Sequence, residues 1–129
     1  MRSNFNNFNS VISAEFENLL INCQFLNGLI IDLYNSVSSW DKLFEILTIS
    51  SPIGLFKFKF YYFKKIKLEY LKSFFDNWIN RKPMFLKIYN YNINLQQLND
   101  LTKEYKAKGT IKQYLIGTSR NIYEDFEWV

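Results

Sequence analysis

The chain has 129 residues, a length that fits one small domain or two small lobes sharing a core. Hydrophobic residues make up 48% of it and charged residues 22%, which excludes wholesale disorder, and the formal net charge of +4 is modest for a nucleic-acid binder. One Cys and no His exclude an intramolecular disulfide, a Cys/His zinc site and a Cys–His nucleophile.

The first part of the chain predicts an Asn-rich tail, a helix, a strand and a second helix. Apolar residues recur at helical spacing from Ser13 to Leu26. LIIDLY (29–34) has the composition of a short strand, and a second helix is predicted over 38–49, before a Ser-Pro pair that ends it. Cys23 lies among apolar residues and is predicted to be a small core residue.

The middle of the chain contains one clear strand and one ambiguous segment. The strict alternation in FKFKFYYF (56–63) predicts a half-exposed antiparallel strand, with the rings on one face. Lys57 and Lys59 are then either its solvated face or contacts to phosphate. The segment 66–79 alternates like a strand at its start, yet it can also be drawn as an amphipathic helix.

The last part of the chain predicts strand, helix and strand. FLKIYNYNI (85–93) alternates as a strand does, and Asn94 can cap a helix over 95–108 that Gly109 ends. TIKQYLI (110–116) is the last predicted strand. Helices and strands are therefore mixed in an α+β order, and we find neither an internal repeat nor a linker.

Motifs of catalysis are missing from the sequence. It has no GxSxG, P-loop, GxGxxG or metal-ligand spacing, so we expect no enzyme activity, cofactor, metal or small-molecule substrate. Asp41 and Glu45 have a one-turn helical spacing that is more typical of a solvated surface than of an acid–base pair. No uncharged apolar run reaches the roughly 18 residues of a spanning helix, so no membrane span is expected.

The most prominent polar feature of the sequence is a set of basic residues that lie near aromatic residues. Lysines and arginines are concentrated between residues 57 and 87, interleaved with Phe and Tyr. Phosphate contacts need such cations, and rings can stack on unpaired bases. Near the C-terminus GTSRN (117–121) follows a predicted strand, and small hydroxyl residues of this kind suit the shallow minor groove of RNA.

The order of these segments resembles the bacterial and organellar family of small-subunit ribosomal protein eight. Residues 117–125 are similar to that family's Ser-Thr-Ser-Lys-Gly loop with its apolar pair and Thr-Asp, and 82–89 to its Pro-containing segment. Residues 18–28 and 42–47 look like its first two helices, and 66–70 like its Leu-Lys-Tyr strand. The chain differs from the family at Gly117, at Asn121 and after the Pro, and it lacks the Arg residues of the first helix.

The resemblance implies two small α+β lobes. The first, 1–72, would contain helix, strand, helix and hairpin. The second, 73–129, would be a mixed α/β RNA-binding lobe without the family's last strand, because the chain stops at Val129. We expect the resulting open edge to be covered by rRNA or a neighbouring protein. The expected RNA-binding residues are Arg81, Lys82, Lys87, Tyr89, Gly117, Thr118, Ser119, Arg120 and Asn121.

The expected function is that of a structural protein of the small ribosomal subunit. It would bind the central domain of the small-subunit rRNA and support platform assembly beside neighbouring ribosomal proteins. The abundance of residues with AT-rich codons fits the genome of an AT-rich microbe, virus or organelle, and together with the resemblance it leads us to expect a mitochondrial protein, within matrix ribosomes. Two alternatives remain open: an accessory subunit of a respiratory complex, and a small viral or phage protein that binds a host protein.

Overall fold

A computed structural model describes residues 2–5, 10–33, 40–62, 67–90 and 95–117. Strands and helices alternate throughout these residues. In chain order they are β1 (Arg2–Phe5), α1 (Ser10–Asn22), β2 (Gly28–Leu33), α2 (Trp40–Ser50), β3 (Lys57–Tyr62), α3 (Leu68–Asp76), β4 (Met84–Asn90), α4 (Leu95–Ala107) and β5 (Ile111–Gly117). The predicted mixture of helices and strands is confirmed.

The strands form one sheet in the order β1-β2-β3-β4-β5, and each pairs in parallel with its neighbours. They begin at residues 2, 28, 57, 84 and 111, so successive starts are 26 to 29 residues apart. Contacts between elements join units that are neighbours in sequence, which is typical of a repeat architecture. The sequence contains no repeat of residues, whereas the structure repeats a strand–helix unit, because the units share shape and not residue identity.

Helices cover one face of this sheet. On that face Leu29, Phe58 and Leu86 are register partners on β2, β3 and β4. They belong to the same core as the buried residues of all four helices, and each helix contacts the next. Alternate strand residues therefore enter the core, while the residues between them lie on the other face.

Helix α4 shows how the local sequence sets an element. Leu98, Thr102 and Tyr105 are buried at spacings of four and three residues, and the Thr102 hydroxyl donates to the Leu98 carbonyl at 3.0 Å. The helix ends where Gly109 adopts a φ of 87°. The backbone N–H of Gly109 donates to the Lys106 carbonyl, and the next N–H donates to the Tyr105 carbonyl, which is a Schellman motif.

The ambiguous segment 66–79 contains a helix. Leu71, Phe74 and Phe75 of α3 are buried on one side, so packing of this face against the core favours the helix. The proposed lobe boundary between residues 72 and 73 falls inside α3, and the core contains residues from both sides of it.

Three finer predictions are wrong. The segment 56–63 does contain a strand, but β3 is parallel to both neighbours and belongs to no hairpin, because a helix follows it. The predicted N-terminal tail contains β1, which backbone pairing with β2 holds in place. Cys23 is only partly buried, since α1 ends at Asn22, just before it.

Within the described ranges no helix is both long and apolar enough to cross a membrane. The same residues contain no group of three or more His, Cys, Asp or Glu side chains that could hold a metal ion.

Candidate functional site

The sheet face opposite the helices brings basic and aromatic side chains into rows. The parallel register pairs Lys59 with Lys87, and Tyr61 with Tyr89. In each of these two pairs, like residues lie side by side on β3 and β4. We call these four residues the lysine–tyrosine rows.

The lysine–tyrosine rows are buried. Lys59 has no exposed surface, and Lys87 is 9% exposed. The rings of Tyr61 and Tyr89 stack with centroids 4.9 Å apart and planes 10° from parallel. Both lysines have interaction partners within the protein. A buried ammonium group needs such compensation, so these rows contribute to the structure rather than offering a free basic surface. The alternative that Lys59 lies on a solvated strand face is therefore wrong.

A more accessible cluster lies where β3 and β4 begin. Its members, which we call the amino-end patch, are Phe56, Lys57, Lys82 and Phe85. The backbone N–H of Phe85 donates to the Phe56 carbonyl at 2.9 Å, and the two rings meet edge to face with centroids 5.5 Å apart. The two rings and Lys57 are half-buried, while Lys82 is exposed.

Both lysines of the amino-end patch are close to one ring. The ammonium nitrogen of Lys82 lies 4.0 Å from the centroid of Phe56, and that of Lys57 lies 5.4 Å from it. Cation–π attraction keeps the charges over an apolar surface while leaving them accessible to solvent. The patch can therefore pair with anionic groups and pack against an apolar group at the same time.

The side chain of Arg81, the residue before Lys82, is engaged in contacts within the protein. Its Nη2 donates to the carbonyls of Ser51 and Pro52 at 2.8 and 2.7 Å. Its guanidinium carbon lies 4.3 Å from the centroid of Trp78. Burial lowers the pKa of this guanidinium below its usual range. The side chain thus ties the loop before β3 to the loop before β4.

The predicted RNA-binding residues do not form one cluster in the described part of the chain. Arg81 and Lys82 precede β4, whereas Gly117 is the last residue of β5. The seven residues of β4 span about 20 Å between these ends. Tyr89 is the register partner of Gly117, and Lys87 lies two residues before Tyr89 on the same face. Thr118, Ser119, Arg120 and Asn121 lie outside the described residues.

Sequence reasoning missed Phe56 and Phe85 as site residues. The alternation in 56–63 placed the rings on one face, but Phe56 precedes β3 and contacts Phe85 near the start of β4. Only the register between the strands brings these two rings together. Lys57, which the alternation did single out, remains a candidate contact to an anion.

No family model, curated protein or solved structure matches this chain.

Proposed function

We propose that the chain is a binding module of the α/β-solenoid type that recognises an acidic segment of a partner protein. Units of a strand and a helix at 26 to 29 residues are within the range of leucine-rich repeats, whose strands line a binding surface. Solenoids present extended surfaces of this kind to macromolecules. The observation that carries the proposal is the amino-end patch, in which two accessible ammonium groups flank a half-buried ring.

A protein partner fits this patch better than a nucleic acid does. RNA and DNA binders commonly neutralise several phosphates, about 6 to 10 in strongly salt-dependent cases. On this side of the sheet Lys59 and Lys87 are buried, so among the described residues of β3, β4 and the loop just before β4 the accessible lysines are Lys57 and Lys82. Two cations beside two rings match a short segment that combines carboxylates with an aromatic or aliphatic side chain.

The proposal is tested by binding of a fluorescein-labelled peptide that contains Glu, Asp and Phe. Neutralising both patch lysines in the Lys57→Gln/Lys82→Gln variant should weaken binding roughly tenfold at low salt, because two cation contacts are lost. The control is Lys103→Gln/Lys106→Gln, which removes the same charge from the exposed surface of α4. If both double variants weakened peptide binding equally, the effect would come from the net charge of the chain and not from the patch, which would contradict the proposal.

A second candidate function is binding of small-subunit rRNA, in a mitochondrial ribosome beside neighbouring ribosomal proteins. It is favoured by the position of Tyr89, which pairs in register with Gly117 at the start of the GTSRN motif. The motif's hydroxyl groups suit a minor groove, and Arg120 would neutralise a phosphate, whereas Lys87 is buried in the lysine–tyrosine rows. Co-sedimentation of the tagged chain with small ribosomal subunits tests this candidate.

Thr118→Ala/Ser119→Ala should weaken rRNA binding by about 1–3 kcal/mol, the cost of leaving a buried partner unpaired. The acidic-peptide affinity should not change in this variant. Co-sedimentation that survives in high salt and is lost in this variant would favour the ribosomal function over the protein-binding one.

A further inference from the structure

A groove lies between α2 and α3, on the helical side of the sheet. Its volume is about 410 Å³, within the range of ligand-binding clefts. Phe44 and Phe74 form its floor, with stacked rings whose centroids are 4.9 Å apart. Ile49 borders the groove with 72% of its surface exposed. The groove thus offers apolar surface that a second apolar side chain can cover.

The polar lining of the groove offers acceptors. Asp41 and Glu45 lie one turn apart on α2, and both are exposed. The Thr48 hydroxyl donates to the Phe44 carbonyl at 2.8 Å, and the Asn77 amide donates to the Ser73 carbonyl at 2.8 Å. With these two donors engaged, the exposed carboxylates of Asp41 and Glu45 are acceptors for an incoming donor.

The charge of the groove is opposite to that of the whole chain. Among the described residues, two carboxylates and no Lys or Arg line the groove, although the chain has a net charge of +4. Two described cations, Lys42 and Lys67, lie near the groove but outside this lining. Lys42 is 3.8 Å from Glu45 in a pair whose side chains are both more than half exposed, and Lys67 lies 5.7 Å from the Tyr70 ring. An exposed pair of this length is weak, so Glu45 remains able to bind another cation.

We propose that the α2–α3 groove binds a basic segment of a partner protein that inserts an apolar side chain between Lys or Arg residues. The apolar side chain packs on the Phe44–Phe74 floor against Ile49, and the flanking cations pair with Asp41 and Glu45. Charge complementarity argues for this occupant, because the two carboxylates attract a cationic segment and repel an acidic one. This proposal goes beyond the binding of an acidic segment at the amino-end patch and does not depend on it.

The probe is a fluorescein-labelled amphipathic peptide of Lys and Leu, with a matched peptide of Glu and Leu as its control. Fluorescence anisotropy at low and at physiological salt should show binding of the Lys peptide alone, weakening as salt screens the charges. The Asp41→Asn/Glu45→Gln variant should weaken binding of the Lys peptide roughly tenfold at low salt. Ile49→Ser should weaken it at both salt concentrations, because its contribution is apolar.

Two matched controls separate the groove from general surface effects. Asp100→Asn/Glu104→Gln removes the same charges at the same spacing on α4, and Ile53→Ser removes an exposed apolar side chain elsewhere. Both should leave binding of the Lys peptide unchanged, as should the Lys57→Gln/Lys82→Gln variant of the amino-end patch. All substituted positions are solvent-exposed or half-buried, and thermal melts of each variant check that the fold persists.

Three results would overturn this inference. They are equal weakening by the α4 control pair, binding of the Glu peptide as tight as that of the Lys peptide, and self-association of the chain that Asp41→Asn/Glu45→Gln abolishes. The last result would make a second copy the occupant of the groove. Loss of acidic-peptide binding at the amino-end patch would leave the groove result intact, so the two proposals fail separately.

Discussion

Arg81 illustrates at the residue scale how a charge can serve the fold. Its two hydrogen bonds to the carbonyls of Ser51 and Pro52 close the amino end of the sheet, and Trp78 packs against its guanidinium. The Trp78 indole N–H also donates to the Lys82 carbonyl at 3.0 Å. The loop that carries Lys82 is therefore held by side chains on both sides.

Arg81→Ala should lower the free energy of unfolding by about 1.5–3 kcal/mol, the range for hydrogen bonds to a charged donor. Arg81→Lys should recover only part of the lost free energy of unfolding, because a single ammonium cannot reproduce the flat guanidinium over Trp78. Urea denaturation measures both, and Lys82→Ala is the control, since Lys82 is exposed. An Arg81→Ala variant as stable as the control would show that these hydrogen bonds contribute nothing.

A second residue-scale feature joins α3 to α4. The Tyr105 hydroxyl donates to Oδ1 of Asp76, while Lys72 Nζ lies 3.0 Å from Oδ2 of the same carboxylate. The hydrogen bond from Tyr105, followed by that from Lys72, lowers the pKa of Asp76 below its usual value of 3.8. The ring of Tyr105 is buried while its hydroxyl reaches this surface carboxylate.

Because the pKa of Asp76 is lower in the folded state, its contribution to stability is present above pH 3.8 and is lost as the pH falls through the folded pKa. Tyr105→Phe should raise that pKa, since it removes the largest cause of the shift. Urea midpoints measured from neutral to acidic pH should therefore fall less steeply in Tyr105→Phe than in the wild type. Parallel curves for the two proteins would contradict the assignment.

At the scale of the element, the end of α4 depends on one glycine. Gly109 has a φ of 87°, in the left-handed region, and its Schellman hydrogen bonds lead the chain from α4 into β5. α4 and β5 contact each other directly, so this turn also sets the packing of the last unit. The sequence predicted this glycine as the helix stop, and the structure confirms it.

Gly109→Ala should destabilise the protein by about 1–2 kcal/mol, because an L-residue is strained in the left-handed region. Gly54→Ala is the matched control: a Cβ at Gly54 meets no atom within 4 Å, and its φ is not in the left-handed region. That control should be neutral or slightly stabilising. Thermal melts compare the melting temperatures of the two variants. Equal melting temperatures would mean that the turn at Gly109 tolerates a side chain.

At the scale of the whole molecule, stability depends on contacts between neighbouring units. Such solenoids behave approximately as a sum of unit and interface contributions, so local opening differs along the chain. β3 has paired strands on both sides, whereas β5 pairs with β4 as the last described strand of the sheet. Three of the seven β5 side chains are exposed.

Amide hydrogen exchange should therefore be slower in β3 than in β5, because β3 opens only when two strand interfaces break. Mass spectrometry of the full chain can follow peptides from both strands. Equal protection in β3 and β5 would indicate a single cooperative unit and contradict the nearest-neighbour description.

The local sequence was sufficient to predict most of the helices and strands. The helix predicted over 95–108 and the strand predicted over 110–116 agree with α4 and β5 to within one residue at each end. Alternation at 56–63 predicted β3 because side chains of a strand point alternately to its two faces. These features depend on residues that are close in the chain, so the sequence alone contains them.

The pairing of the strands and the accessibility of the charges depend on contacts between segments that are distant in the chain. Pairing direction and register depend on backbone hydrogen bonds between segments 26 to 29 residues apart, which the order of side chains within one strand does not specify. For the same reason the sequence alone could not foresee that Lys59 is buried beside Lys87, or that Phe56 meets Phe85. The α2–α3 groove likewise exists only because two helices separated along the chain pack side by side on one sheet.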